Sequence, residues 1–270
     1  MSHLPPSAED ALPPFSLSFL SPSILDRICR STPFQFHAPF PSSPSFIEPY
    51  IPIPSSRTQN LDLIVTPPRT SDLTAQTTCL NDPSVGIQLI GPPYPYTDQM
   101  GREWYEMKWR HTESYFRSLS SEEGDGRREL PFSTIREKET GEWFGEIGVC
   151  RWEFREIADE KERERLRKEN DERAIGDEEL IWSFGYYVSP KFQGKGIMTH
   201  VLSSLFESVF IDYLDAKIIR SSAFVDNEAS IRVQEKCGLG KKDGSNFRHR
   251  VDEGRGGGER EEIVLEWRRD

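Results

Sequence analysis

At 270 residues the chain is long enough for one large domain with extensions or for two small ones, and 35% hydrophobic residues leave part of it outside a packed core. A net charge of −11 argues against general nucleic-acid binding, which needs a basic face, and is compatible with a cationic, amine-bearing partner. Cys29, Cys79, Cys150 and Cys237 are scattered without a CxxC and read as reduced thiols, and the five histidines never fall at metal-ligand spacing, so no metal site is expected. No apolar run approaches the ~20 residues of a membrane span. The acidic, proline-broken start does not read as a signal peptide, which makes a cytoplasmic location the expectation, with a nuclear one also compatible.

Residues 1–58 hold 12 of the 20 prolines and many serines. Proline fixes φ and removes a donor, so this stretch is expected to be a disordered tail whose phenylalanines could pack on the domain or meet a partner. A globular domain is expected over 59–270. LDLIV reads as a strand and 70–80 as a short helix. GPPYPY is a rigid aromatic loop, and Thr97 is placed to cap a long helix from Asp98 to Leu119. PFSTIREK and WFGEIGVCRW read as two strands joined through Glu139, Thr140, Gly141 and Glu142. The nearly all-charged stretch at about 155–178 predicts a solvated helix inserted after that hairpin, with i,i+4 pairs such as Asp159/Arg163 and Glu164/Lys168.

ELIWSFGYYV is the next strand, and Ser189-Pro190 stops it. Gln193, Gly194, Lys195 and Gly196 follow, and an amphipathic helix opens at once, with Ile197, Val201, Leu205 and Val209 on one face. A strand, a glycine-bearing loop and a helix N-terminus build an anion site, because the first N–H groups of a helix lack partners. KIIRSSAFV is a further strand, residues 227–238 form a helix capped by Asn227, and a last hairpin closes the chain.

QGKGIM resembles the Q/R-x-x-G-x-G/A loop of the general N-acetyltransferase superfamily (GNAT). SFGYYVSP resembles that family's strand beside the pantetheine arm. DNEASIRVQEKCGL is similar to its N-x-x-S-x-x-x-x-x-K-x-G-F stretch, and GPPYPYT to the loop lining the acceptor pocket. The order of elements looks like the ribosomal-protein N-terminal acetyltransferase branch. The resemblance implies an α+β fold with a mixed, mostly antiparallel sheet, splayed at the acetyl-CoA site and flanked by helices. It implies that Gln193, Gly194, Lys195, Gly196, Ile197 and Met198 take the diphosphate, with Tyr187, Val188 and Asn227 also at the donor. Val188 N–H would meet the thioester carbonyl, and Tyr94 and Tyr96 would contact the acceptor, a small amine or a protein N-terminus.

Met198 stands where the family has Gly or Ala and Leu239 where it has Phe, and two catalytic positions also depart from it. Gln234 stands where a tyrosine commonly protonates the leaving thiolate, and Ser183 where the branch carries a glutamate. Ser230, Tyr186 and Tyr187 are alternative acids, and Glu146 or Glu179 alternative bases. A fold that holds acyl-CoA with little catalysis is therefore the second reading. A P-loop enzyme is disfavoured, because Lys195 is followed by Gly196 and not by a hydroxyl residue.

Overall fold

The computed structural model describes residues 17–40, 46–55, 61–121 and 128–269. In chain order these form helix α1 (Pro22–Ser31), strands β1 (Gln35–His37), β2 (Glu48–Ile53) and β3 (Leu63–Thr66), and helices α2 (Leu73–Asn81), α3 (Pro83–Gly86) and α4 (Asp98–Ser120). The hairpin β4 (Thr134–Glu137) and β5 (Trp143–Arg151), helix α5 (Glu160–Glu172) and strand β6 (Ile181–Val188) follow. Helix α6 (Ile197–Leu205) runs on as a π-helical stretch, Phe206–Ile211. Strand β7 (Ile218–Phe224), helix α7 (Glu228–Lys236) and strands β8 (Gly240–Lys241), β9 (Phe247–Arg250) and β10 (Glu259–Arg268) complete the described chain.

These strands form one sheet in the order β1-β2-β3-β4-β5-β6-β7-β10-β8, with β9 paired to β10. Pairing is antiparallel except between β6 and β7, which the α6 crossover makes parallel. Local chemistry explains the boundaries near the cleft. Thr97 Oγ1 accepts from the Met100 N–H and starts α4, and Asn227 Oδ1 accepts from the Ser230 N–H (3.1 Å) and starts α7. The apolar face of α6 is buried at Ile197, Met198, Val201, Leu202 and Leu205, which fixes the position of the helix N-terminus beside the end of β6.

The expected disordered tail over 1–58 does not describe residues 17–40 and 46–55, which belong to the fold; residues 1–16 lie outside the described residues. Phe34 is fully buried, with its ring edge-on to Tyr115, Phe116, Phe132 and Tyr213 at 5.3–5.9 Å. The prolines of β2 are tolerated because, among the described residues, each half of that strand pairs on one edge only. Pro49 lies where β2 meets β1, and Pro52 where it meets β3, so each has an open edge for its missing N–H. Glu48 of β2 is buried against Arg69 (2.7 Å) and His37 (3.0 Å). Burial alone would raise its carboxyl, but His37 and Arg69 hold it down to about 2.

The charged stretch does form a helix, α5, with different ion pairs from those expected. Asp159 caps the helix through the Glu162 N–H (2.8 Å), and Arg165 bridges Glu162 and Glu169. The helix is tied down at its end, where Asn170 exchanges hydrogen bonds with both backbone groups of Ile181 (2.9 and 3.0 Å).

Candidate active site

The parallel ladder between β6 and β7 is short. It pairs Ile181 with Ile218, Trp182 with Ile219 and Ser183 with Arg220, and then ends. On its other edge β6 stays paired with β5 as far as Val188. From Phe184 onward β6 therefore has an edge without a strand neighbour among the described residues, and Ser221 Oγ donates to the Phe184 carbonyl (3.1 Å) where the gap begins. Ser189 N–H donates to the Phe144 carbonyl across the β5 edge (2.9 Å). Antiparallel bonding alternates, so Val188, one residue earlier, turns its N–H to the open edge. Gly145, opposite Val188, is required there: a Cβ at that position would lie 2.2 Å from the Tyr187 carbonyl oxygen.

The loop after β6 brings the start of α6 to the same gap. Gly194 (φ 70°) and Gly196 (φ 74°) adopt left-handed backbone that other residues avoid. Gly196 is the N-cap and has no side chain to cap with. The ladder of α6 opens with His200 N–H donating to Gly196 (3.0 Å), so the N–H groups of Ile197, Met198 and Thr199 are left for a ligand. Gln193 Nε2 donates to the Val188 carbonyl (3.0 Å), and Phe192 stacks on Phe144 at 3.8 Å, fastening the loop to both strands.

Strand alternation then sorts the side chains onto two faces. Glu146, Gly148 and Cys150 of β5 pair with Tyr187, Gly185 and Ser183 of β6, so all six share the face covered by α2 and α4. Glu146 is 5% exposed and accepts from Gln76 Nε2 (2.8 Å) and Ser133 Oγ (3.4 Å). Burial raises its carboxyl to about 7, with Lys108 and the Trp104 indole offsetting part of the rise. On the opposite face the Tyr186 hydroxyl meets Ser230 Oγ (3.0 Å) and donates to the Ser230 carbonyl (3.2 Å), while Gln234 Nε2 donates to Ser230 Oγ (3.2 Å). Burial pushes the Tyr186 phenol up to about 12. One cleft of about 1690 Å³ is lined from both faces and passes the gap.

Of the residues singled out from sequence, Glu146, Ser183, Tyr187, Val188, Gln193, Gly194, Gly196, Ile197, Met198, Asn227, Ser230 and Tyr96 line this cleft. Three do not. Tyr94 packs over Gly86 and Gly254, with the Arg255 guanidinium 5.7 Å from its ring centroid, and is not among the residues that line the cleft. Lys195 holds its ammonium over the Phe192 ring (5.6 Å) and is not among the residues that line the cleft. Glu179 is exposed and paired with Arg173 (2.5 Å), away from the gap. Sequence reading missed Gln76 and Lys108. The i,i+4 spacing of Trp104 and Lys108 on α4 was the available signal, but it needs the sheet to give it meaning.

The chain belongs to the GNAT acetyltransferase family: the family model described as "Acetyltransferase (GNAT) domain" matches residues 62–240, more than half of the sequence. No curated protein matches this sequence. Among solved structures, a GNAT-family acetyltransferase from Bacillus anthracis is similar at 14% identity and TM-score 0.50, covering 81% of this chain and 98% of that one. The microcin C7 self-immunity acetyltransferase MccE, solved with acetyl-CoA and AMP, is similar at 13% identity and TM-score 0.50, with 79% and 96% covered. The ribosomal L7/L12 α-N-protein acetyltransferase RimL, solved with coenzyme A, gives 15% identity and TM-score 0.49, with 80% and 97% covered. What the first two share with this chain is the fold, which here is a mixed, unclosed sheet of mostly antiparallel strands flanked by helices.

Proposed function

We propose that this acetyltransferase transfers the acetyl group of acetyl-CoA to a primary amine by direct attack, with Glu146 as the base. The observation that carries the reading is the buried Glu146, opposite Tyr187 on the strand paired with the end of β6, whose carboxyl burial raises to about 7. A base is most effective when it titrates near the working pH. The unpaired N–H groups at the start of α6 suit the diphosphate of coenzyme A, and the free edge of β6 suits the pantetheine amides. Glu146 takes a proton from the ammonium. The amine nitrogen attacks the thioester carbon, the C–N bond forms, and the carbonyl oxygen gains negative charge where the Val188 N–H points. The C–S bond then breaks and the thiolate takes a proton, for which Tyr186 and Ser230 are placed where Gln234 cannot serve.

The alternative of an acyl-CoA holder with little catalysis rested on Ser183 and Gln234; Glu146 and Tyr186 supply groups that it lacks. Among the described residues no helix is long and apolar enough to cross a membrane, and no cluster of His, Cys, Asp or Glu could hold a metal. A cytoplasmic location is part of this reading. Thiol release from acetyl-CoA with a panel of amines tests it. Turnover that falls at least tenfold in Tyr186→Phe supports the assignment. Acetyl-CoA binding without turnover on any amine would favour the holder instead.

A further inference from the structure

Gly148 and Gly185 face each other across β5 and β6, between the Glu146/Tyr187 pair and the Cys150/Ser183 pair. A Cβ added to either would meet nothing within 4 Å. Glycine in a strand interior gives up side-chain packing and backbone entropy, and it marks a place where a ligand approaches closely. Two paired glycines, both over empty space, make a bare floor that starts beside Glu146.

The wall over this floor is α4, and Lys108 stands on it. The residue is half-buried, lines the cleft and sits with Nζ 4.6 Å from the Trp104 ring centroid. Its ammonium makes no hydrogen bond or ion pair with any described residue, while its carbonyl accepts from Thr112 Oγ1 (2.8 Å). Burial lowers its pKa, as it does for a cation that lacks a full counter-charge. Glu146 is its strongest charge partner, yet burial raises that carboxyl to about 7, so it is a full counter-charge only above that pH, and it loses the charge when it takes the acceptor's proton. The other carboxylates that line the cleft or act on Lys108 are engaged: Glu153 lies 3.9 Å from Arg155 and Glu129 lies 3.3 Å from His111. Asp226 pairs with Arg260 (2.6 Å), Glu228 with Arg232 (2.7 Å), and Glu262 accepts from Ser222 (2.7 Å). Glu103, a turn before Lys108, is at the exposed rim and accepts from Gln99 (2.8 Å).

We infer that the acceptor is an amine bearing a carboxylate a few bonds from its nitrogen, lying on the Gly148–Gly185 floor with that carboxylate at Lys108. The inference rests on the acetyltransferase reading and narrows its acceptor. Free α-amino acids and peptides with an acidic residue near the N-terminus share this chemistry. An ammonium-rich polyamine does not, because it would place like charge against Lys108.

The test measures calorimetric binding to the protein–CoA complex alongside kcat/KM for matched pairs: aspartate against asparagine, and an Ala-Asp peptide against Ala-Asn, with spermidine as the cationic arm. Binding reads this subsite even if no acceptor turns over, so failure of the acetyltransferase reading remains distinguishable. At least tenfold preference for the acid of each pair is expected, and Lys108→Gln should bring that ratio close to one. Gly148→Val should raise the KM of every acceptor while the stabilisation by acetyl-CoA persists. Preference for spermidine would overturn the proposal. So would a Lys108→Gln variant in which acid and amide fall equally with a displaced pH profile, since Lys108 would then serve only as the counter-charge of Glu146.

Discussion

Replacing Glu146 by glutamine should make the protein more stable at alkaline pH while disabling it. The carboxyl is buried and its pKa is raised from an ordinary 4.5 to about 7. A raised carboxyl binds its proton in the folded state over a range where the unfolded chain has already lost it. Stability therefore falls as pH rises from 4.5 to 7, and the full penalty is present above 7. Moving from 4.5 to 7 corresponds to about 3 kcal/mol. Glutamine keeps the shape and can still accept from Gln76, but it carries no charge to desolvate. At pH 8 the variant should exceed the wild type by about 3 kcal/mol, or roughly 6–12 °C in Tm for a domain of this size. At pH 5 the difference should shrink to under about 1 kcal/mol. Thermal unfolding at both values checks this, paired with kcat/KM, which should lose its acidic limb near pH 7 and fall 10²–10⁴-fold. Wild-type and variant stability curves that run parallel from pH 5 to 8 would refute the reasoning, whatever the activity does.

Three further outcomes follow from the packing. Phe34→Ala empties a site ringed by four aromatic side chains and should cost about 3–5 kcal/mol in denaturant unfolding. A loss under about 1 kcal/mol would mean that the N-terminal segment is dispensable. Gly145→Ala drives a methyl to 2.2 Å from the Tyr187 carbonyl, so β6 must shift at the very residues that border the gap. It should cost about 1–3 kcal/mol and lower kcat more than a surface change of equal destabilisation. Asn227→Ala removes the α7 cap and should lower stability by about 1 kcal/mol, measured by urea unfolding.

Much of the donor side was legible in the residues. The four-residue repeat from Ile197 to Val209, the stop at Ser189-Pro190 and the two glycines of the loop define a strand, a turn and a helix N-terminus by local rules alone. The structure sharpened this by showing where the β6–β7 ladder ends and that the Val188 N–H turns to the gap. The N-terminal segment was misread because proline content speaks of a strand's hydrogen bonds without saying which edges are paired. β2 accommodates Pro49 and Pro52 only because its neighbours overlap different halves of it. The base was legible as a candidate and no more, since its raised carboxyl comes from burial, offset by Lys108 and Trp104, which lie 38 and 42 positions away along the chain. The tyrosine pair of the GPPYPY loop divides for a similar reason. Tyr96 reaches the cleft, while Tyr94 is claimed by Gly86, Gly254 and Arg255, contacts that no local pattern announces.

The central claim is that the gap beside Val188 and the uncapped start of α6 bind acetyl-CoA. Isothermal titration of the wild type and of Gly196→Glu with acetyl-CoA, and with ATP-Mg²⁺ as the competing phosphate ligand, tests it most directly. The substitution places a carboxylate at the N-cap, where the diphosphate would sit and where φ is 74°. Saturable binding of acetyl-CoA to the wild type, no binding of ATP-Mg²⁺, and loss of at least tenfold in acetyl-CoA affinity in the variant are the predicted results. Equal affinity of wild type and variant for acetyl-CoA, or binding of ATP-Mg²⁺ alone, would contradict the account.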